Sequence, residues 1–133
     1  MSTPVVFKFG GASVKDAESV QNIANIISNY PSRPMVVVVS AMGKMTNAFE
    51  RVVEAWNNKN TILAEKEIEA IGEFHQKIIG DLFPTPPIEL LEQIDFWMQS
   101  LKYGISEQEV GYSQQYDFIC LLYTSPSPRD EVL

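Results

Sequence analysis

Two short apolar runs, each followed by a turn that contains glycine, constrain the fold of this chain more than any other feature. Val5–Phe9 is β-branched and aromatic and ends at Gly10-Gly11, which predicts a buried strand and a tight turn. Met35–Val39 is apolar throughout, a composition typical of a central parallel strand covered on both faces. A helical pattern follows each run. The chain is therefore expected to begin as strand, helix, strand, helix.

The first helix is predicted within residues 14–30, where apolar residues recur at helical spacing. Ser13 lies three residues before Asp16, which predicts a capping box at the start of this helix. Thr46 is the predicted N-cap of the second helix. Two parallel strands joined by a helical crossover favour an α/β sandwich over a helical bundle.

The second half of the chain is predicted to be mostly helical, in two segments separated by Pro84-Thr85-Pro86-Pro87. Beyond Gly104 the periodicity is weak. An apolar stripe on a helix is far more often core than binding groove. The predicted core stripes contain Phe49, Val52, Val53, Trp56, Ile68, Ile71, Phe74, Ile78, Ile79, Leu90, Leu91, Ile94, Trp97, Met98 and Leu101.

Charge and residue counts exclude several classes of function. The 133 residues carry a net charge of -7, which argues against binding to nucleic acid, since that needs a clustered basic surface. Cys120 and His75 are each the single residue of their type. This disfavours disulfides, cysteine or histidine zinc sites and the usual nucleophilic triads. We expect His75 to lie on a helix surface.

The sequence shows neither a basic amino-terminal segment followed by a long apolar run nor a stretch long enough to span a bilayer. No membrane association is therefore expected. The cytoplasm is the predicted compartment.

Residues 8–13, KFGGAS, form the first motif that carries chemistry. Gly10 and Gly11 would let backbone amides approach phosphate oxygens, and the following helix would add the positive end of its dipole. Lys8 would add a full positive charge close to that point. The simpler interpretation is an ordinary tight turn beside an exposed edge lysine.

Residues 40–47, SAMGKMTN, form the second motif at the next transition from strand to helix. The hydroxyl groups of Ser40 and Thr46 could bind a small polar substrate. The simpler interpretation is local capping, in which Thr46 begins the helix and Ser40 only ends its strand.

Together the two motifs resemble the aspartate kinase family of the amino-acid kinase superfamily, whose opening reads K-F-G-G-[TS/A]-S and whose second strand ends in S-A-M-G-x-x-T-N. The resemblance is close from about residue 5 to residue 56. It implies an α/β fold, a three-layer αβα sandwich of the amino-acid kinase type that is incomplete here, with a mostly helical second half. Ala12 stands where threonine is common in the family, so one hydroxyl contact is absent.

The resemblance also implies a reaction: ATP-dependent phosphorylation of the β-carboxylate of L-aspartate, the first step toward lysine, threonine and methionine. Lys8 would contact the transferring phosphoryl group as the catalytic residue, and Gly10, Gly11 and Ser13 would line the ATP phosphates. Ser40 and Thr46 would face aspartate. Mg²⁺ would be carried by the nucleotide, with no protein ligand assigned. Family members would be homo-oligomers.

The family pattern stops near residue 120. The S-[FY]-G-E segment that follows in the family is missing, so residues 1–120 are interpreted as the amino-terminal part of a catalytic domain. Residues 121–133 are interpreted as a tail unrelated to the family, either disordered or produced by a truncated gene, frameshift or sequence junction. The isolated chain is therefore expected to be inactive.

Two other functions stay open on the sequence. One is a non-catalytic α/β interaction module whose glycine turn is only structural. The other is a related kinase that acts on glutamate, carbamate or a nucleoside monophosphate.

Overall fold

The computed structural model describes residues 3–107 and 111–123. Strand β1 is followed by a turn of 3-10 helix, helix α1, strand β2 and four further helices. The elements are β1 (Val5–Phe9), the 3-10 turn (Gly11–Val14), α1 (Ala17–Ser28), β2 (Met35–Val39), α2 (Met45–Asn57), α3 (Thr61–Leu82), α4 (Ile88–Glu107) and α5 (Tyr112–Tyr123). The predicted order of strand, helix, strand, helix is confirmed.

The two strands pair in parallel, with Val5 beside Met35 and Phe9 beside Val39. Helix α1 makes the crossover between them, as the sequence predicts. The ladder continues past the last paired residues, because the Ser40 amide donates to the carbonyl oxygen of Phe9 at 2.9 Å. The carboxyl ends of both strands therefore lie side by side, which is where ligands gather in parallel sheets.

The expectation that both strands are buried is wrong in the described part of the chain. Val36 is 54% exposed and Val38 47% exposed, and in β1 only Phe9 is buried. The Phe7 ring is covered from one side, by Tyr30 beyond the end of α1 at a centroid distance of 5.2 Å. The sheet formed by the described residues has two strands, and such a sheet is too narrow to hold helices on both faces.

The hydrophobic core lies among the helices instead. Helix α2 packs against α3 and α5, and α3 packs against α4. The predicted stripes supply most of this core, and its most deeply buried large side chains are Val52, Val53, Ile68, Ile71, Leu101 and Ile119. The described chain is thus mostly helical around a small parallel sheet.

The break between α3 and α4 falls at the predicted proline cluster, but α4 continues past Gly104 to Glu107. A side chain at Gly104 would place its Cβ 2.5 Å from the ring of Phe118 on α5. The glycine therefore permits close contact between the two helices, a reason for its presence that weak periodicity does not reveal.

Both predicted helix starts are wrong by a few residues. Ser13 belongs to the 3-10 turn, and the N-cap of α1 is Asp16, whose Oδ1 accepts a hydrogen bond from the Ser19 amide at 2.8 Å. Hydrogen bonds to this carboxylate from the Ser19 side chain and from the Ser19 amide hold the pKa of Asp16 below its ordinary value. Thr46 is the second residue of α2, so it does not cap that helix.

Helix α5 runs to Tyr123, and residues 124–133 lie outside the described residues. The proposed division of the chain at residues 120 and 121 therefore stays a prediction.

Candidate functional site

The two motif turns meet at the carboxyl edge of the sheet. The Gly43 amide, in the turn after β2, donates to the carbonyl oxygen of Gly11 in the turn after β1, at 3.2 Å. With the bond from Ser40 to Phe9, this ties the second turn to the first at two points. The residues that the sequence singles out separately, about thirty positions apart, form one continuous surface.

Two glycines make this close approach possible. A Cβ at Gly11 would lie 2.7 Å from the carbonyl oxygen of Gly43, a distance that real Cβ atoms do not show. Gly43 itself has a φ of +54°, in the left-handed region where side chains are disfavoured. Both glycines therefore serve contact between the turns.

Gly10 has a different environment from Gly11. A Cβ added there would meet no atom within 4 Å, so the space beside its backbone is open to a ligand. Gly10 has an extended backbone and immediately precedes the 3-10 turn. Among the predicted phosphate-side glycines, Gly10 faces open space and Gly11 is packed.

Ser13 is exposed, and its amide donates to the carbonyl oxygen of Gly10 at 3.0 Å. That amide is therefore used within the turn, and the hydroxyl group is the part of Ser13 that remains for a ligand. The amides of Gly11 and Ala12 come before the first hydrogen bond of the 3-10 turn. The hydrogen bonds within the turn therefore do not use these two amides.

Lys8 lies one residue before the end of β1 and pairs in register with Val38. Strand alternation places it on the face of the sheet that also carries Val6, opposite the face that carries Phe7. Its side chain is exposed, and no ion pair with it occurs within residues 3–107 and 111–123. The ammonium group is thus not neutralised by a described carboxylate.

Ser40 and Thr46 border different depressions. Ser40 is at the edge of a mostly apolar cavity of about 180 Å³ that lies between its turn and helices α2 to α4 and is lined also by Met45, His75 and Trp97. Thr46 borders a narrow crevice between α2 and α5, beside Tyr116. The structure therefore does not bring the two predicted aspartate contacts into one pocket.

The crevice beside Thr46 contains a polar pair. The Tyr116 hydroxyl donates to Oε1 of Glu50 at 3.3 Å. The negative charge of Glu50 raises the pKa of Tyr116, because it opposes formation of a phenolate. The charge of Glu50 thus favours the protonated phenol, the form that donates this hydrogen bond.

His75 is not the helix-surface residue that the sequence suggests. It is half-buried, and its Nδ1 lies 2.8 Å from the carbonyl oxygen of Ile71, one turn earlier in α3. Its ring also contacts the ring of Phe74 edge-on, with centroids 5.4 Å apart. A single histidine in an amphipathic stripe gives no sign of this arrangement, which depends on how α3 packs below the second turn.

Phe74 is a further residue that sequence reasoning places only in the core stripe. A Cβ at Gly43 would lie 3.3 Å from Cζ of Phe74, so the ring packs against the backbone of the second turn. Helix α3 therefore contacts the motif surface directly.

Residues 3–107 and 111–123 contain no group of three or more histidine, cysteine, aspartate or glutamate side chains arranged to hold a metal ion. They also contain no helix that is long and apolar enough to cross a membrane.

Comparison with known proteins identifies the family. The model of the amino acid kinase family matches residues 3–84. Aspartokinase 1, chloroplastic, of Arabidopsis thaliana is 36% identical over 97 residues, which cover 68% of this chain and 16% of that protein. Aspartokinase 2 of Bacillus subtilis is 38% identical over 71 residues, covering 52% of this chain and 17% of that protein.

The fold has a counterpart among solved structures. The crystal structure of Clostridium acetobutylicum aspartate kinase superposes with a TM-score of 0.61 at 20% identity, over 89% of this chain and 27% of that one. The chain thus spans about a sixth of the length of the two relatives named above. Both motif turns lie within the matched residues 3–84, and the chain belongs to the amino acid kinase family, with aspartokinases among its sequence relatives.

Proposed function

We propose that this chain supplies the phosphate-binding edge of an aspartate kinase. Such an enzyme transfers the γ-phosphoryl group of ATP to the β-carboxylate of L-aspartate. The observation that carries the proposal is the hydrogen bond from the Gly43 amide to the Gly11 carbonyl oxygen. It joins the glycine turn that would hold ATP to the turn that would hold aspartate. A phosphoryl donor and acceptor must be held in line and close together, so two joined turns suit this reaction.

The proposed reaction is a direct transfer that requires no nucleophile from the protein. A β-carboxylate oxygen of aspartate attacks the γ-phosphorus, the bond from phosphorus to the bridging oxygen of ATP breaks, and ADP leaves with that electron pair. The products are 4-phospho-L-aspartate and ADP. The protein's contribution is to position the reactants and to stabilise the charge that develops on the phosphoryl oxygens.

Lys8 is the proposed source of that stabilisation. Its ammonium group is exposed near the end of β1 and has no described carboxylate partner. Gly10 would give the phosphates access to bare backbone, Gly11 would contribute its amide, and Ser13 its hydroxyl group. A cation and aimed amides of this kind lower the barrier because they are already oriented before the charge appears.

Ser40 and Thr46 are proposed to contact aspartate, although they border different depressions. Ser40 has the stronger support, because its amide continues the ladder by donating to Phe9, the residue that follows Lys8 in β1. Thr46 would have to reach the substrate from the first turn of α2. We therefore expect Ser40→Ala to weaken aspartate binding more than Thr46→Ala.

Mg²⁺ is proposed to arrive with the nucleotide. The described residues offer no cluster of carboxylates or histidines for it, so we assign no protein ligand. Metal bound through nucleotide phosphates and water agrees with the usual preference of Mg²⁺.

We further propose that the whole protein is a homo-oligomer in the cytoplasm and acts in the synthesis of lysine, threonine and methionine. These parts of the proposal have the same support as the substrate assignment, namely similarity to aspartokinases. The compartment is the least supported part, because the Arabidopsis relative is named as chloroplastic.

The test is isothermal titration calorimetry of the full chain with Mg-ATP. We expect saturable binding that Lys8→Ala weakens by about tenfold, because one charge-assisted contact is removed, and that Lys8→Arg partly restores. Lys66→Ala, on the exposed side of α3, removes the same charge elsewhere and should leave affinity unchanged. Equal affinity in the Lys8→Ala and Lys66→Ala variants would refute the role of Lys8.

A further inference from the structure

Three segments of the chain meet at Gly43. Its amide donates to the carbonyl oxygen of Gly11 at 3.2 Å, which joins it to the first turn. On the side where a side chain would project, a Cβ would lie 3.3 Å from Cζ of Phe74 and 3.7 Å from Cα of Lys15. The backbone of Gly43 is therefore enclosed between the start of the α1 segment and a ring on α3.

The Phe74 ring is held in place by its neighbours on α3. Its neighbours in the α3 stripe, Ile71 and Ile78, are buried in the helical core. On its own helix it contacts the His75 ring edge-on, and that ring is fixed by the hydrogen-bond distance of 2.8 Å to the Ile71 carbonyl oxygen. Because the Phe74 side chain is half-buried on a long, well-packed helix, its ring can restrict the conformations of the second turn, which it contacts.

The backbone conformation of Gly43 depends on contacts of this kind. Glycine adopts positive and negative φ about equally well, so the φ of +54° observed at Gly43 is not selected by the residue itself. Contacts around the turn must select it. The Phe74 ring contacts the face of Gly43 that a side chain would otherwise fill, so its removal would leave the turn free to take other conformations.

We infer that Phe74 is a positioning residue: its ring holds the second turn so that the Gly43 amide stays bonded to the first turn. Phe74 does not touch a reacting atom; it acts through Gly43. The inferred contact stands on geometry alone, and only its consequence for nucleotide binding rests on the proposed function.

Amide hydrogen exchange of the full chain, followed by NMR, tests the contact. The measured quantity is the exchange rate of the Gly43 amide divided by that of Ala64, a buried residue whose amide donates to the carbonyl oxygen of Asn60, the N-cap of α3. Phe74→Ala should raise this ratio at least about tenfold, since local opening no longer has to break the ring contact. An unchanged ratio would overturn the inference.

Two matched variants keep this test decisive. Phe74→Leu retains an apolar side chain and should raise the ratio by only about threefold; if Phe74→Ala does not fold, an unchanged ratio in Phe74→Leu overturns the inference. Phe96→Ala removes the same ring from an exposed position on α4, where Phe96 is 63% exposed. It should leave the ratio unchanged, and an equal rise there would also overturn the inference.

Calorimetry with Mg-ATP then separates this inference from the proposed function. If the unaltered chain binds the nucleotide, Phe74→Ala should weaken binding, Phe74→Leu should recover part of it, and equal affinity in all three would overturn the positioning role. If the unaltered chain does not bind while Gly43 exchange responds to Phe74, the contact is supported and the proposed function is contradicted.

Discussion

The helical core and the two-stranded sheet both contain large apolar side chains, but these are packed very differently. Ile68 in α3 is 0% exposed, whereas Val36 in β2 is 54% exposed. Packing among α2 to α5 thus accounts for most of the buried apolar surface, while the sheet supplies the edge that carries both motifs. The difference indicates that stability resides mainly in the helices and that the candidate site depends on the sheet edge and on the contact of α3 with it.

The largest expected effect is a contrast in unfolding free energy between these two regions. Ile68→Ala should lower the free energy of unfolding by about 2–5 kcal/mol, because it leaves a cavity in a closely packed interior. Val36→Ala should change it by no more than about 0.5 kcal/mol, since little burial is lost. Urea denaturation followed by circular dichroism measures both. Equal losses would mean that the sheet face is covered in solution.

Alanine substitutions at two glycines are expected to change the free energy of unfolding in opposite directions. Gly43→Ala should cost about 1–3 kcal/mol, because alanine must adopt a φ of +54° and crowd the Phe74 ring. Gly80→Ala should instead stabilise the chain by up to about 1 kcal/mol, because that glycine is within α3 and a Cβ there meets nothing within 4 Å. The urea midpoints of the two variants should therefore move in opposite directions; a shift of the same sign would contradict the assigned conformation of the second turn.

The smallest expected effect concerns pH and the start of α1. The pKa of Asp16 is lower in the folded chain, because the carboxylate accepts hydrogen bonds from the Ser19 side chain and from the Ser19 amide. A lowered pKa stabilises the fold above the ordinary range of aspartate, and that contribution is lost as the pH falls through the folded value. Asp16→Asn keeps an acceptor for the amide and should flatten this part of the pH profile.

The control for this experiment is Asp95→Asn, which removes an exposed charge from α4. Its urea midpoint should keep the acid dependence of the unaltered chain. If both variants have the same profile, Asp16 does not contribute to the acid sensitivity.

The sequence predicts the elements well because periodicity and turn residues are local signals. The alternation of strand and helix, the proline break between α3 and α4 and most of the core stripe could be predicted in this way. The start of α1 could not, because Ser13 and Asp16 can both cap a helix and the choice depends on the 3-10 turn that follows Gly10. The start of α2 could not either, because Thr46 can cap a helix but lies inside this one. The apolar run of β2 does not by itself indicate how many layers will cover it, whereas a parallel sheet without its remaining strands is expected to leave an apolar face uncovered.

The candidate site shows the same division. The motifs locate Lys8, Gly10 and Ser40, and parallel strands place them at one edge. The contact between Gly43 and Phe74 joins residues 31 positions apart and follows from packing, which no motif encodes. The same limit explains why Ser40 and Thr46, six positions apart, are predicted to share a ligand and yet border separate depressions.

If the joined turns bind the phosphates of a nucleotide, as we claim, the NMR chemical shifts of their backbone amides must respond to that nucleotide. On titration of the full chain with Mg-ATP, the amides of Gly10, Gly11 and Ala12 should shift saturably, while adenosine, which lacks phosphates, should leave them unmoved. The amide of Ala64, a buried residue of α3 ten positions before Phe74, serves as the internal reference. Unmoved glycine amides at saturating Mg-ATP, or equal shifts with adenosine, would contradict the claim.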